Sequence, residues 1–185
     1  MTDHQAADGR QLLAPAFPDD TGAADPALTA ALSAYAEDPA SPAALGGVLA
    51  ALQSSRVLVP VVAVAGEVEL DERGLAHDKT SDMAAVLVQG ADGRRGLLGF
   101  SSTASLATWN PEARPVPVAA RTAALAAVQE GAAALLLDLA GPVRVVVEGD
   151  HLRALAAGWT LARVGEDLAW IAPDPARFGE PGIVP

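Results

Sequence analysis

An Asp-Gly pair between two apolar runs constrains this chain more than any other feature of its sequence. Asp92-Gly93 separates the apolar residues 84–89 from the apolar residues 96–100. Tight turns between two strands need backbone angles that aspartate and glycine tolerate, so this arrangement is a strong hairpin signal. The sequence therefore predicts two antiparallel strands joined by a turn at residues 91–94.

A short helix is predicted directly after this hairpin. Ser101 and Ser102 are of the residue type that caps helix starts. Leu106 and Trp109 follow at a spacing of three, which places both on one helix face. The helix should end at Asn110-Pro111, because the residue before a proline is displaced from the helical region. A return strand is predicted after that proline.

Two further short helices are predicted before the hairpin. Asp25-Pro26 and Ser41-Pro42 each combine a capping side chain with a proline at the first helical position. After both pairs, apolar residues recur at i, i+3, i+4 and i+7, which is one apolar stripe on each helix. Neither stripe can be buried by its own helix, so we predict a helical hairpin that packs on another element.

The first strand is predicted at residues 56–64, where an apolar, β-branched run indicates burial on both faces. Pro60 within this run lacks a backbone donor and favours a bulge or an edge position on one side. The polar residues 71–82 predict a surface loop.

The second half of the chain predicts two more helices and four more strands. A helix at residues 119–130 should end at Gly131, a residue suited to the left-handed position after a helix. Its apolar face is formed by Ala120, Ala124, Leu125, Ala127 and Val128. The remaining predicted elements are strands at 134–139 and 143–147, a helix at 150–157, and a closing hairpin at 160–164 and 168–172.

These elements predict an α+β fold. Helices and strands interleave without a regular βαβ rhythm, so we expect a single domain with a mixed, largely antiparallel sheet and short helices packed on it. The domain is predicted at residues 25–172. Residues 1–24 predict a disordered tail and residues 173–185 a loose, proline-rich tail, since both segments lack apolar periodicity.

The charge of the chain argues against two classes of partner. It has 12 basic and 23 acidic residues, for a net charge of −11. Nucleic acids and anionic membrane surfaces are bound through lysine and arginine, so neither is expected as a partner. No apolar run reaches the length of a membrane span, and the N-terminus lacks the pattern of a signal peptide. We expect a cytoplasmic location, with which the absence of cysteine, and hence of disulfides, agrees.

The residues capable of chemistry form no recognisable catalytic constellation. His4, His77 and His151 share no ligand spacing, and no cysteine accompanies them, so neither a metal site nor a cofactor is expected. The serines match no nucleophile elbow, and the glycines match no phosphate-binding or dinucleotide-binding motif. These observations favour a protein that is not an enzyme.

One candidate ligand site remains in the segment from Gly99 to Thr103. Ser101, Ser102 and Thr103 stand at a predicted helix start, where free N–H groups can hold an anion. Helix capping without a ligand is the favoured interpretation, because Arg94 and Arg95 should point away from this position. Trp109 is expected to be a buried anchor beneath the helix, with partner binding as its alternative role.

Several of these motifs together resemble a known family. They are RVLVPV at residues 56–61, GLLGFSSTASLATW at 96–109, Pro111, Pro115-Val116, and LLLDLAGP at 135–142. This pattern resembles the SseB N-terminal-domain family in its actinobacterial type, over about residues 28–147. The resemblance implies no catalytic residues for this chain.

Three functions stay open from the sequence alone. The first is a non-enzymatic interaction or scaffold module that presents an apolar groove or a sheet edge to a protein partner. The second is a small-ligand or anion-binding protein, or an enzyme of unrecognised type, that uses the segment from Gly99 to Thr103. The third is a structural subunit whose apolar faces are covered by self-association.

Overall fold

The computed structural model describes residues 16–64, 68–70, 76–78, 82–165 and 167–174. Within them lie helices α1 (Pro26–Glu37), α2 (Pro42–Leu52), α3 (Thr103–Trp109), α4 (Ala120–Gln129) and α5 (Gly149–Ala156). The first strands are β1 (Arg56–Val64), β2 (Val68–Leu70), β3 (Ala76–Asp78), β4 (Asp82–Ala85), β5 (Leu87–Gln89) and β6 (Arg95–Gly99). They are followed by β7 (Arg114–Ala119), β8 (Ala134–Leu137), β9 (Val145–Glu148), β10 (Thr160–Val164) and β11 (Asp167–Ile171).

The predicted α+β fold with a mixed, largely antiparallel sheet is confirmed. Strands β4, β1 and β7 form one sheet in that order, and β5, β6, β8 and β9 form a second. Among the described strands, β6 and β8 are the one parallel pair. These two strands are connected through α3, β7 and α4. Parallel strands need such a long crossover, because the chain must return to the same end of the sheet before the second strand begins.

The helix starts are confirmed where the sequence placed them. The Asp25 carboxylate accepts a hydrogen bond from the backbone N–H of Leu28 at 2.9 Å, and the Ser41 hydroxyl accepts one from that of Ala44 at 3.3 Å. Both caps are followed by a proline in the first turn. These bonds pair donors that a helix start would otherwise leave unsatisfied.

Strand β1 joins the two sheets. Leu58 exchanges two backbone hydrogen bonds with Phe100, at 2.8 and 2.9 Å, just beyond the end of β6. From Val61 onward the partner of β1 is β4 instead. Pro60 lies where the partner changes, and its carbonyl accepts a bond from the N–H of Val86. β1 is thus a central strand and not an edge strand. Pro60 lies between the residue of β1 that pairs with Phe100 and the residues that pair with β4.

Strict alternation along the strands produces two cores on opposite faces of the sheet. On β6, Leu97 belongs to the larger core and Leu98 to the smaller one; on β8, Leu135 and Leu136 divide in the same way. The larger core is covered by α1, α2, α4, α5 and the hairpin β10–β11. Of the helices in the described ranges, only α3 contributes to the smaller core.

The predicted loop at residues 71–82 is partly wrong. β3 pairs with β2 in antiparallel register, and β4 begins at Asp82. The alternating apolar pattern of a strand is missing from this polar segment, so backbone pairing alone defines β3. Residues 71–75 and 79–81 lie outside the described residues.

The predicted apolar face of the fourth helix also needs correction. Its buried residues are all alanines, which allow α4 to lie close to α5 and the sheet. Leu125 and Val128 were expected on this face, but they are 40% and 42% exposed. The predicted apolar face of α4 is wider than the part that contacts α5 and the sheet. Only tertiary packing decides which of its residues are buried.

Candidate functional site

Ser102 caps α3 as the sequence predicts. Its hydroxyl accepts a hydrogen bond from the backbone N–H of Ser105 at 3.1 Å, while the Ser105 hydroxyl accepts one from the N–H of Ser102 at 3.2 Å. This reciprocal pair satisfies two backbone donors at the helix start. At the other end Asn110 is the C-cap, as its position before Pro111 predicts.

Ser101 and Thr103, the other two candidate residues, also have partners within the chain. The Ser101 hydroxyl donates to Asp138 Oδ2 at 2.7 Å, and the Ser101 N–H donates to Asp138 Oδ1 at 2.9 Å. Thr103 donates its backbone N–H to the carbonyl of Gly22 at 2.9 Å. These contacts support the capping interpretation, and an anion site at this helix start stays a prediction.

Asp138 is the buried residue that organises this region. Its side chain is 5% exposed, and its φ of 51° places it in the left-handed region, which costs a non-glycine residue about 1 kcal/mol or more. Its carboxylate accepts both bonds from Ser101, and its backbone N–H donates to Gly99 at 3.0 Å. These bonds hold the turn between β8 and β9 against the start of α3.

Arg56 connects this region to the residues before the first helix. Its Nε donates to Asp20 Oδ2 at 2.7 Å, and the two side chains are only 10% and 12% exposed. The same guanidinium donates to the backbone carbonyls of Ser101 and Ala23. Residues 20–23 belong to the predicted tail at 1–24, and these bonds attach them to the domain. Residues 1–15 of that tail and residues 175–185 of the C-terminal tail lie outside the described residues.

We expect this ion pair to make stability depend on pH in acid. The Arg56 guanidinium, assisted by the N–H of Gly22, holds the pKa of the Asp20 carboxyl below its ordinary value of 3.8, although partial burial opposes the shift. The stabilisation is therefore complete above pH 3.8 and is lost as the pH falls through the lower folded value. Urea unfolding over a pH series should show a steeper acid loss for the wild type than for Asp20→Asn. Parallel acid profiles of the two proteins would contradict this expectation.

Trp109 lies at the margin of the smaller core. Its ring centroid is 5.5 Å from that of Phe100, with a tilt of 32° between the planes. Phe100 and Leu106 are buried, whereas Trp109 is only partly buried. Trp109 is therefore neither a fully enclosed anchor nor a free surface side chain, and a role in partner binding stays a prediction.

A shallow apolar depression lies on the same side of the sheet as the smaller core. It is lined by half-buried Val88, Leu136 and Leu139 and by Val146, which is 45% exposed. Leu136 lies over Gly96, where a Cβ atom would come within 2.6 Å of Leu136 Cδ1, so only glycine leaves room for it. We refer to Val88, Leu136, Leu139 and Val146 as the open sheet face.

Charged side chains surround the open sheet face. Arg94 bonds to Asp92 at 2.6 Å and to Glu148 at 2.9 Å, and it holds the pKa of Asp92 below its ordinary value. Arg95, by contrast, points to the opposite face of the sheet and donates to a backbone carbonyl at the end of α4. Arg144 makes no ion pair within the part of the chain that the structure describes. The depression has a volume of about 760 Å³.

Comparison with known families identifies the chain. The family model of the SseB protein N-terminal domain matches residues 28–154, which is well over half of the sequence. The chain belongs to the SseB N-terminal domain family. The resemblance predicted from the sequence motifs is confirmed, and the actinobacterial type stays a prediction. No curated protein and no solved structure matches the chain.

The SseB match includes the open sheet face but not all of the surrounding structure. Val88, Leu136 and Val146 lie within residues 28–154, as do Arg56 and Asp138. The segment that carries the partner of Arg56 precedes the match, and the hairpin β10–β11 follows it. The two ends of the described chain thus add contacts to the SseB domain.

Neither a group of metal ligands nor a membrane-spanning helix occurs among the described residues of this SseB domain. Among the described residues, no three histidine, cysteine, aspartate or glutamate side chains are grouped closely enough to hold a metal ion. His4 lies outside these residues, while the Nδ1 atom of His151 accepts a hydrogen bond from Trp170. None of the helices in the described ranges is long and apolar enough to cross a membrane.

Sequence reasoning missed Asp20, Arg56 and Asp138. Each contacts a partner more than 30 residues away, so no local pattern could reveal the pairing. A weak signal existed at Asp138, which is the one charged residue in the apolar run 134–139. A buried carboxylate without a partner is energetically costly. A lone aspartate in an apolar run therefore indicates a side chain that accepts hydrogen bonds from specific donors.

Proposed function

We propose that this SseB domain is a non-enzymatic protein-interaction module and that its open sheet face binds the partner. The observation that carries the proposal is the apolar depression itself, which exposes Val146 on the edge strand β9 and has no described helix across it. Apolar surface that a domain leaves uncovered beside polar residues is typical of an interaction site.

The state of the candidate nucleophiles supports a binding role rather than a catalytic one. The hydroxyl of Ser101 donates to Asp138, and the hydroxyl of Ser102 caps a helix. A nucleophilic serine is usually activated by a histidine base, whereas the partner of the Ser101 hydroxyl is a carboxylate that also accepts the Ser101 N–H and so holds a turn. Every buried side-chain nitrogen and oxygen among the described residues has a hydrogen-bond partner.

Charge complementarity indicates the chemistry of the partner. Two arginines, Arg94 and Arg144, lie beside the open sheet face, although the whole chain has only 12 basic residues and a net charge of −11. The acids at this surface, Asp92 and Glu148, are both bound by Arg94. The proposed occupant is a protein segment that combines apolar side chains with at least one carboxylate, which Arg144 would bind.

A second copy of this chain fits the surface less well. Two copies with a net charge of −11 each would repel one another at long range. A symmetric contact through the open sheet face would also bring its arginines near the same arginines of the other copy. We therefore expect the isolated protein to be a monomer.

Peptide selection on the full chain tests the proposal. Peptides recovered from a random display library should be rich in apolar residues together with aspartate or glutamate. Val146→Asp should weaken the binding of the best peptide by about tenfold or more, because it places a carboxylate within the apolar contact and beside the acidic group of the peptide. Arg144→Gln should weaken it by about tenfold, the effect of losing one charged hydrogen bond.

Leu125→Asp is the matched control. Leu125 is 40% exposed, close to the 45% of Val146, but it lies on α4, which covers the opposite face of the sheet. Its replacement should leave peptide affinity unchanged. Selection of no peptide, or peptides that bind Val146→Asp as well as the wild type, would refute the proposed site. Sedimentation velocity could instead detect a dimer that Val146→Asp abolishes. The occupant of the open sheet face would then be a second copy of this chain, not an acidic partner.

A further inference from the structure

A second surface, on the opposite face of the sheet from the open sheet face, has the features of a small-molecule site. A groove of about 540 Å³ lies between α2 and the hairpin β10–β11. Its apolar walls are Leu45 and Leu49 of α2, Leu161 of β10, and Leu168 and Trp170 of β11. We refer to these five residues as the hairpin groove. Its volume lies within the range of about 300–1,000 Å³ found for small-molecule pockets.

The walls of the hairpin groove are held in place by specific contacts. Gly46 of α2 is buried, and a Cβ atom there would lie 1.9 Å from Leu168 Cδ1, so the glycine lets the hairpin approach the helix. The N–H of Leu161 donates to Gln53 Oε1 at 2.8 Å, which ties β10 to the C-terminal end of the same helix. A pocket with such fixed walls loses little conformational freedom when a ligand binds.

The polar groups at the groove are donors. Trp170 Nε1 donates to His151 Nδ1 at 2.9 Å, so the neutral imidazole carries its proton on Nε2. Arg163 lies opposite Leu168 in the hairpin register and makes no ion pair within the described residues. Ser41 also lines the groove, and its hydroxyl, which accepts from the N–H of Ala44, keeps its own hydrogen to donate. An acceptor is therefore the chemical group that these side chains complement.

We propose that the hairpin groove binds a small amphipathic carboxylate. The apolar body of the ligand packs between α2 and the hairpin, and its carboxylate accepts hydrogen bonds from Arg163 and from His151 Nε2. Arg163 supplies the charge that selects an anion over a neutral or cationic ligand of the same length. This proposal is independent of the protein-interaction function, because the groove shares no residue with the open sheet face.

Calorimetric titration of the full chain with three eight-carbon probes tests the charge preference. Octanoate should bind saturably with one molecule per chain, octanol more weakly, and octylamine weakest. Arg163→Gln should weaken octanoate binding by about tenfold, the factor expected from loss of one charged hydrogen bond, and should leave octanol binding unchanged.

Arg153→Gln is the matched control, because Arg153 is exposed on α5 and pairs with Asp150 rather than with the groove. It removes the same charge and should not alter octanoate affinity. Ala43→Trp places a large side chain at the groove margin and should weaken all three probes. The proposal is overturned by the absence of saturable octanoate binding, by equal affinity for octylamine, or by an Arg163→Gln variant that binds octanoate like the wild type.

Discussion

Replacing Arg56 with methionine is expected to lower the free energy of unfolding by about 3 kcal/mol, the lower end of the range for a buried ion pair, because this pair is only partly buried. The change leaves the Asp20 carboxylate, which is 12% exposed, without its cation. It also removes donors from the backbone carbonyls of Ser101 and Ala23. Chemical denaturation of the wild type and the variant under the same conditions measures the difference.

Two companion variants make the Arg56 result interpretable. Arg153→Met removes an arginine whose side chain is 69% exposed and should change stability by less than about 0.5 kcal/mol. The double variant Asp20→Asn with Arg56→Met should cost less than the sum of the two single variants, because the second change removes the unpaired charge left by the first. A loss below about 1 kcal/mol for Arg56→Met would mean that the pair behaves as a surface salt bridge.

Phe100→Ala is expected to cost about 3–5 kcal/mol, the range for removing a buried aromatic side chain. Phe100 is fully buried in the smaller core and packs against Leu58, Leu98 and Leu106. Only α3 among the described helices covers this core, so the cavity would have few neighbours able to fill it. Thermal or urea unfolding of the variant measures the loss.

Trp109→Ala is the informative comparison for Phe100→Ala. The tryptophan is only partly buried, so its removal should cost about 1–3 kcal/mol. A cost as large as that of Phe100→Ala would restore Trp109 to the role of buried anchor that the sequence predicts. If Phe100→Ala costs under about 1 kcal/mol, burial of Phe100 in the smaller core does not stabilise the fold.

The partition of apolar residues into two cores explains why one face of this SseB domain can bind a partner. Leu97 and Leu98 point to opposite faces of β6, and the helices assembled on the Leu97 side leave much of the Leu98 side uncovered. α3 is seven residues long and covers one end of that side. The remaining apolar side chains form the depression on which the proposed interaction depends.

Most of the elements were predictable from the sequence because their signals are local. Asp25-Pro26 and Ser41-Pro42 mark helix starts within one turn of chain, and Asp92-Gly93 marks a hairpin within four residues. The α3 boundaries follow from Ser102 and Asn110. Residues this close in sequence meet whatever the rest of the chain does, so their physical preferences are expressed directly.

The tertiary structure alone decided which distant residues meet. The parallel pairing of β6 with β8 requires a crossover of more than 30 residues, and the bonds of Arg56 and Asp138 span similar distances. The sequence could not decide which apolar side chains are exposed for the same reason. Leu125 lies on the predicted apolar stripe of α4, but it is exposed and the buried residues of that helix are alanines. The sequence determined where the helices and most of the strands begin and end, since those choices depend on neighbouring residues, whereas β3 in the polar segment 71–82 depends on pairing with β2. The two candidate binding surfaces arise from the packing of whole elements, which no local pattern encodes.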